Sequence, residues 1–296
     1  MRFSECKIKP VRALLCATLL LLTSACTSVG LAALNLPSRF DGGTIIRDVS
    51  YGPQPWQKLD IYIPENAANK DLDVVVFFYG GRWSAGAKED YSFAGTAFAN
   101  RNFIAVVPDY RKYPNVKFPV FVEDGAKAVA WTYDHIAAYE GNKARIHLAG
   151  HSAGAHIGAL IAADPHYLAA EGKKRSDVVR DFAGLAGPYD FVPDEPDLMD
   201  MFGPPANYPR MQITTFIDGK QPPMLLLYGD ADTTVKRRNL DLLDARIREK
   251  GGCVRSTIYP GINHIDILVA LSWAGSRHAP VADDMAGFFR DSGCGK

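Results

Sequence analysis

The stretch Arg145-Ile146-His147-Leu148-Ala149-Gly150-His151-Ser152-Ala153-Gly154-Ala155-His156 decides the fold. Residues 145–149 have the length and apolar content of a strand, and Ala153 to Ala163 has the small, apolar make-up of a buried helix. Between them lies Gly150-His151-Ser152-Ala153-Gly154, a G-x-S-x-G pentapeptide. In a strand-to-helix setting this pattern is a nucleophile elbow: the serine sits at a sharp turn, where side chains at 150 and 154 would collide with neighbouring backbone. The pentapeptide alone is also compatible with a glycine-rich turn that does no chemistry. Its flanking strand and helix favour the elbow.

Outward from the elbow the same rhythm repeats. Gly43 to Tyr51 and Gln57 to Pro64 read as an opening hairpin, the second strand alternating at Leu59, Ile61 and Ile63. Strand-length runs follow at Val74 to Tyr79, Phe103 to Val107, Asp181 to Leu185, Met224 to Tyr228 and Val254 to Tyr259. Helical segments separate them at Tyr91 to Asn100, Val120 to Ala138 and Val235 to Lys250, with a last one at Pro280 to Arg290. Several runs are apolar throughout, which predicts a mostly parallel α/β sheet with helices on both faces. Proline-rich residues 188–223 interrupt the rhythm and contain a short helical piece at Pro196 to Phe202. Such an insertion reads as a small cap over a pocket, with Leu198, Met199, Met201, Phe202 and Tyr208 offering apolar surface, or else as a plain surface excursion.

A serine hydroxyl becomes a useful nucleophile when a histidine takes its proton and a carboxylate orients that histidine. In an elbow architecture the partners come later in the chain, acid before histidine, each after a strand. The run Met224 to Tyr228 leads into Gly229-Asp230-Ala231-Asp232. Asp232, further out on the loop, is the candidate acid, and Asp230 is expected to hold the turn. After Val254 to Tyr259 comes Pro260-Gly261-Ile262-Asn263-His264, which makes His264 the candidate base. His135, His147, His166 and His278 lie in contexts that do not aim at the same crevice, and His151 and His156 are too close in sequence to reach round to the hydroxyl. Oxyanion donors are expected from the amide of Ala153 and from the loop Tyr79-Gly80-Gly81-Arg82-Trp83-Ser84-Ala85-Gly86, at Gly81 and Arg82.

The chain has 296 residues, 47% hydrophobic and 22% charged, and equal numbers of basic and acidic side chains, 33 each. Without a basic excess, nucleic acid is an unlikely partner class. No metal or other cofactor is implied. Arg2, Lys7, Lys9 and Arg12 flank an apolar run from Ala13 to Leu22, the make-up of an export signal and too short to span a bilayer. It ends in Leu22-Thr23-Ser24-Ala25-Cys26, which resembles a bacterial lipobox, with Thr23 departing from the usual Leu. The resemblance implies residues 1–25 as signal, lipidation of Cys26, residues 26–42 as tether and 43–296 as the catalytic domain. Thr27 in place of Asp then points to the outer membrane, facing the periplasm; cleavage by ordinary signal peptidase is the alternative. The mature chain would carry 29 basic and 32 acidic side chains. Of its cysteines, Cys253 and Cys294 would remain beyond Cys26, a pair suited to one disulfide in an oxidising compartment or to two buried thiols.

Taken together, these motifs resemble the α/β-hydrolase superfamily, in its esterase branch of hormone-sensitive-lipase-like, BD-FAE-like and kynurenine-formamidase-like enzymes. The resemblance covers roughly residues 44–290. Beside the elbow it rests on Leu59-Asp60-Ile61-Tyr62, Gly80-Gly81-Arg82-Trp83 with Gly86, Asp109-Tyr110-Arg111 with Phe118-Pro119, Glu123-Asp124, Pro222-Pro223, Gly229-Asp230-Ala231-Asp232 and His264. It implies hydrolysis of small-molecule carboxylic esters, or of amides, without a cofactor, with the triad on Ser152, Asp232 and His264. A non-catalytic binding lipoprotein is the contrasting reading. The family usually has His at the position of Tyr79, and Gly or an aromatic at that of Arg82. The arginine could favour a substrate bearing a carboxylate, or turn outward to pair with Asp or Glu. The topology also implies that Cys253, before the last strand, and Cys294, after the last helix, meet at the edge opposite the site.

Overall fold

A computed structural model describes residues 34–35, 43–67 and 70–291. Cys26 and Cys294 lie outside these residues, as do the expected export signal and most of the expected tether.

The strands are β1 (Thr44–Ser50), β2 (Lys58–Ile63), β3 (Leu72–Phe78), β4 (Ile104–Pro108), β5 (Gly141–His151), β6 (Val179–Leu185), β7 (Met224–Gly229) and β8 (Val254–Tyr259). They form one eight-stranded sheet in the order β1-β2-β4-β3-β5-β6-β7-β8. β1 and β2 form the antiparallel hairpin, β2 is antiparallel to β4, and every later pairing is parallel. All residues of β4 and β7 are buried, because helices cover both faces there, whereas β1 and β8 at the edges are partly exposed. This is the α/β-hydrolase fold.

The major helices are α1 (Ser92–Ala99), α2 (Val120–His135), α3 (Ala153–Ala163), α4 (Pro196–Phe202), α5 (Arg238–Glu249) and α6 (Val281–Arg290). Differences from the sequence reading have local causes. α5 begins at Arg238 rather than Val235, after a turn in which the N–H groups of Thr234 and Val235 donate to the Asp232 carboxylate. α2 gives way to a 3-10 turn at Ile136–Tyr139, closed by Glu140 at φ 67°. β5 starts four residues early, through polar Asn142 and Lys143, with Gly141 opposite Leu72 and a register irregularity before Ile146.

The strand order reverses after β3: β4 lies on one side of it and β5 on the other. At such a reversal the loops leaving the carboxyl ends of adjacent strands diverge and leave a crevice. The loop after β3 and the elbow after β5 are the two that border it.

Residues 188–223, between β6 and β7, contain α4, the short helix Tyr208–Met211 and the 3-10 turns Pro205–Asn207 and Ile213–Phe216. The apolar side chains singled out in this segment differ in placement. Leu198, Met201, Phe202 and Tyr208 are buried in the core cluster, and only Met199 of that group is exposed. The segment is therefore packed down, with Phe202 against Trp83, Phe118 and Phe121.

Candidate active site

Two glycines make the elbow possible. A Cβ on Gly150 would stand 2.5 Å from the backbone of Gly154, and one on Gly154 would stand 2.0 Å from the Phe78 carbonyl. Ser152 itself has φ 54° and ψ −121°, a conformation that costs a non-glycine residue about 1–3 kcal/mol and is held by its surroundings. Its N–H donates to the Leu185 carbonyl on β6 (2.9 Å), and α3 starts at the next residue.

Ser152 Oγ–H donates to His264 Nε2 at 2.9 Å, and His264 Nδ1–H donates to Asp232 Oδ2 at 2.7 Å. The structure thus brings together all three residues singled out from the sequence, although 112 positions separate serine from histidine. Asp232 is buried with its second oxygen accepting the N–H groups of Thr234 (2.8 Å) and Val235 (3.0 Å). Burial alone would raise its carboxyl, but the bond from His264 and those backbone donors outweigh it and hold Asp232 below the ordinary carboxylate range. The acid therefore stays ionised and selects the His264 tautomer whose Nε2 is free to accept a proton.

The two loops of this half are tied to each other. Asp230 accepts the Gly261 N–H at 2.6 Å, joining the β7 and β8 loops as expected of a turn-holding residue. His151 Nε2–H donates to the His264 carbonyl at 2.9 Å, with the two rings 4.7 Å apart. Sequence reasoning set His151 aside as unable to reach the hydroxyl. Its work is on the histidine's backbone instead, and the only hint was its place as the variable residue of the pentapeptide. Burial, then the neighbouring His264, depresses His151 to about 3, so it stays neutral beside the base.

On the opposite side lies the loop after β3. A Cβ on Gly80 would meet His151 Nδ1 at 2.9 Å and Ser152 Cβ at 3.3 Å, so only a glycine allows this loop so close to the serine. Gly81, Arg82 and Trp83 follow with φ of 115°, 55° and 56°. Among the described residues no acceptor takes the N–H of Gly81, Arg82 or Ala153. Three amides are therefore unused in the elbow and in the loop that Gly80 brings beside it, that of Ala153 opening a helix whose dipole favours negative charge.

Tyr79 turns away from the serine. Its hydroxyl donates to Asp109 at 2.6 Å, its carbonyl accepts from Tyr110 at 2.8 Å, and its ring stacks between Tyr91 and Tyr110. Burial first, then these neighbours, raise its phenol well above the ordinary value, so it stays protonated as a donor. The Arg82 guanidinium pairs outward with Glu195 (2.8 Å) and Asp197 (3.0 Å) at the start of α4. That is the second of the two placements weighed for it, and it leaves no free charge to greet an anionic substrate. Below the loop, His156 Nε2–H donates to the Met211 carbonyl of the cap at 2.8 Å, and burial lowers this histidine to about 4. Far from the site, Cys253 is disulfide-bonded.

Comparison with known proteins follows the same lines. Residues 59–247 match the BD-FAE family model. The chain is 26% identical over 264 residues to the probable isoprenylcysteine alpha-carbonyl methylesterase ICME of Oryza sativa subsp. japonica, covering 81% of this chain and 62% of that protein. It is 27% identical over 271 residues to esterase LipC of Mycobacterium tuberculosis, covering 82% and 64% respectively. It thus spans about three fifths of the length of these curated relatives. Among solved structures, esterase B from Lactobacillus rhamnosis superposes with a TM-score of 0.78 at 17% identity, covering 96% of each chain, a likeness of fold.

Proposed function

The chain belongs to the BD-FAE family within the α/β-hydrolase fold, and from this we propose that it is a serine hydrolase cleaving small-molecule carboxylic esters through an acyl-enzyme. The observation that carries the reading is the continuous relay from Ser152 Oγ through His264 to Asp232, at 2.9 and 2.7 Å. The names of the relatives, a methylesterase and an esterase, lean the same way.

Ser152 Oγ attacks the acyl carbon while its proton passes to His264 Nε2. The carbonyl oxygen becomes an oxyanion, stabilised by the amides of Gly81, Arg82 and Ala153. His264 then gives the proton to the departing alkoxide. Water, deprotonated by the same nitrogen, attacks the acyl-serine; the acyl–Oγ bond breaks, His264 returns the proton to Ser152 Oγ and the acid leaves, with Asp232 ionised throughout. A panel of p-nitrophenyl esters of increasing chain length tests the proposal: the wild type should turn over at least one, and Ser152→Ala none above background. Equal rates for the two would overturn it.

The place of action follows from residues 1–26. The basic residues, apolar run and Cys26 support export, signal cleavage, lipid attachment at Cys26 and a periplasmic site on the outer membrane. Radiolabelled palmitate should enter the wild type and not Cys26→Ala. Cys294 is the proposed partner of Cys253, pinning the C-terminal helix without touching the chemistry.

A further inference from the structure

We propose that Arg82, Glu195 and Asp197 are positioning residues for the oxyanion hole: the segment between β6 and β7 is a clamp that holds the β3 loop in its working conformation. The proposal rests on the hydrolase reading above and asks what keeps two of its three oxyanion donors in place.

Gly81, Arg82 and Trp83 stand consecutively at positive φ. Glycine accepts this freely, but Arg82 and Trp83 are ordinary L-residues whose backbone, if released, would favour negative φ. A change at Arg82 would re-aim its own amide and displace that of Gly81. Hydrogen bonds within the loop are few: Ser84 and Ala85 donate to the Gly81 carbonyl, at 3.0 and 2.9 Å. The other restraints come from outside. The Arg82 guanidinium makes bonds to both Glu195 and Asp197, across more than a hundred residues of chain. The Trp83 ring stacks on Phe191 at 5.8 Å and meets Phe202 edge-on at 5.0 Å. These four partners belong to the same insertion; outside it, the Trp83 carbonyl accepts the Tyr113 N–H at 2.9 Å and its ring packs on His156 and Phe121.

That insertion is itself fastened on its far side. Asp200 of α4 pairs with Lys117 at 2.6 Å and accepts from the Tyr113 hydroxyl at 3.1 Å, and Phe118 N–H donates to the Met201 carbonyl at 3.0 Å. A freely opening lid would not be bolted at both ends and filled beneath by Phe202 and Met201. The charged partners are accessible, with side chains 42%, 59% and 44% exposed for Arg82, Glu195 and Asp197, so the clasp is open to screening by salt.

Three variants separate clamp from contact. Glu195→Gln with Asp197→Asn removes both charges and leaves the loop sequence intact. Arg82→Ala removes the clasp but keeps the cost of positive φ; Arg82→Gly removes the clasp and that cost together. With a p-nitrophenyl ester turned over by the wild type, the double variant and Arg82→Ala should lose kcat by about tenfold, short of the roughly hundredfold that loss of a whole donor costs, with KM within twofold. Arg82→Gly should recover most of the loss. Added salt should lower kcat of the wild type and leave the double variant flat. Hydrogen exchange at Ser84 and Ala85, whose N–H groups are bonded to the Gly81 carbonyl, reads the clamp without turnover, and it should speed up several-fold in the double variant. Unchanged exchange there, or kcat within twofold of wild type in both clasp-breaking variants, or a loss confined to KM, overturns the proposal. A wild type inert to esters would defeat the hydrolase reading instead, and exchange alone would then decide the clamp.

Discussion

The two sides of Ser152 are held by different means. On the acid–base side, Asp232, Asp230 and His264 sit in turns that satisfy each other: Asp232 accepts the N–H groups two and three residues on, Asp230 accepts that of Gly261, and His151 donates to the His264 carbonyl. On the oxyanion side, a run of residues at positive φ is held by the Tyr113 N–H at the Trp83 carbonyl and, in the clamp proposed above, by side chains from an insertion beginning more than a hundred residues later. One side is self-supporting. The other is strained and borrowed, so the two should respond differently to mutation, pH and salt.

The largest effects belong to the relay. Ser152→Ala or His264→Ala should each lower kcat by a factor on the order of 10⁶, and the double variant should fall little further, because the pair acts as a unit. Steady-state rates on one ester check both statements. Asp232→Asn should cost about 10⁴, since an amide no longer enforces the tautomer of His264. Asp230→Asn keeps an oxygen for Gly261, so it should cost less than about tenfold, within the range of a lost or weakened hydrogen bond. Comparable losses at 230 and 232 would contradict the division of labour between the two aspartates.

A smaller effect concerns stability and places one histidine on each side. His151 and His156 are depressed from 6.5 to about 3 and about 4, in both cases first by burial. Above pH 6.5 neither carries a proton in either state, and they are silent. Below 6.5 the unfolded chain takes up two protons that the folded chain refuses, so stability falls as pH falls. At pH 5 each should cost about 2 kcal/mol, from roughly 1.4 kcal/mol per pH unit. His147 has the opposite sign: Asp181 and Asp73 outweigh burial and raise it, so its contribution is complete below 6.5 and lost as pH rises through its folded value. Between pH 6.5 and 5 it is flat. Urea titrations across that window should show stability falling toward pH 5, with a slope smaller by about one proton in His156→Phe than in the wild type.

The same division explains what could be read in the chain. β8 and the helices α3 and α4 have the bounds that their apolar runs, glycines and prolines mark, because each is delimited by signals within its own sequence. Asp232 and His264 could be named because strand ends fix where their loops must lie, and the fold brings those ends together. Arg82 could not be resolved in the same way. Its two placements were both consistent with the loop, and the choice depended on Glu195 and Asp197 folding back over it. Where the apolar side chains of residues 188–223 point was open for the same reason: Phe202 is apolar whether it faces solvent or Trp83, and only the tertiary contact decides. His151 was passed over because its target is a backbone carbonyl, which leaves no mark in the sequence.

The central claim is that Ser152 is a nucleophile activated by His264 and Asp232, and covalent capture by a fluorophosphonate probe tests it most directly. Intact-mass and peptide mass spectrometry should find one adduct per chain, on the peptide carrying Ser152, forming in the wild type, lost in Ser152→Ala and greatly slowed in His264→Ala. A wild type that stays unlabelled, or an adduct that persists at equal rate in Ser152→Ala, would contradict it.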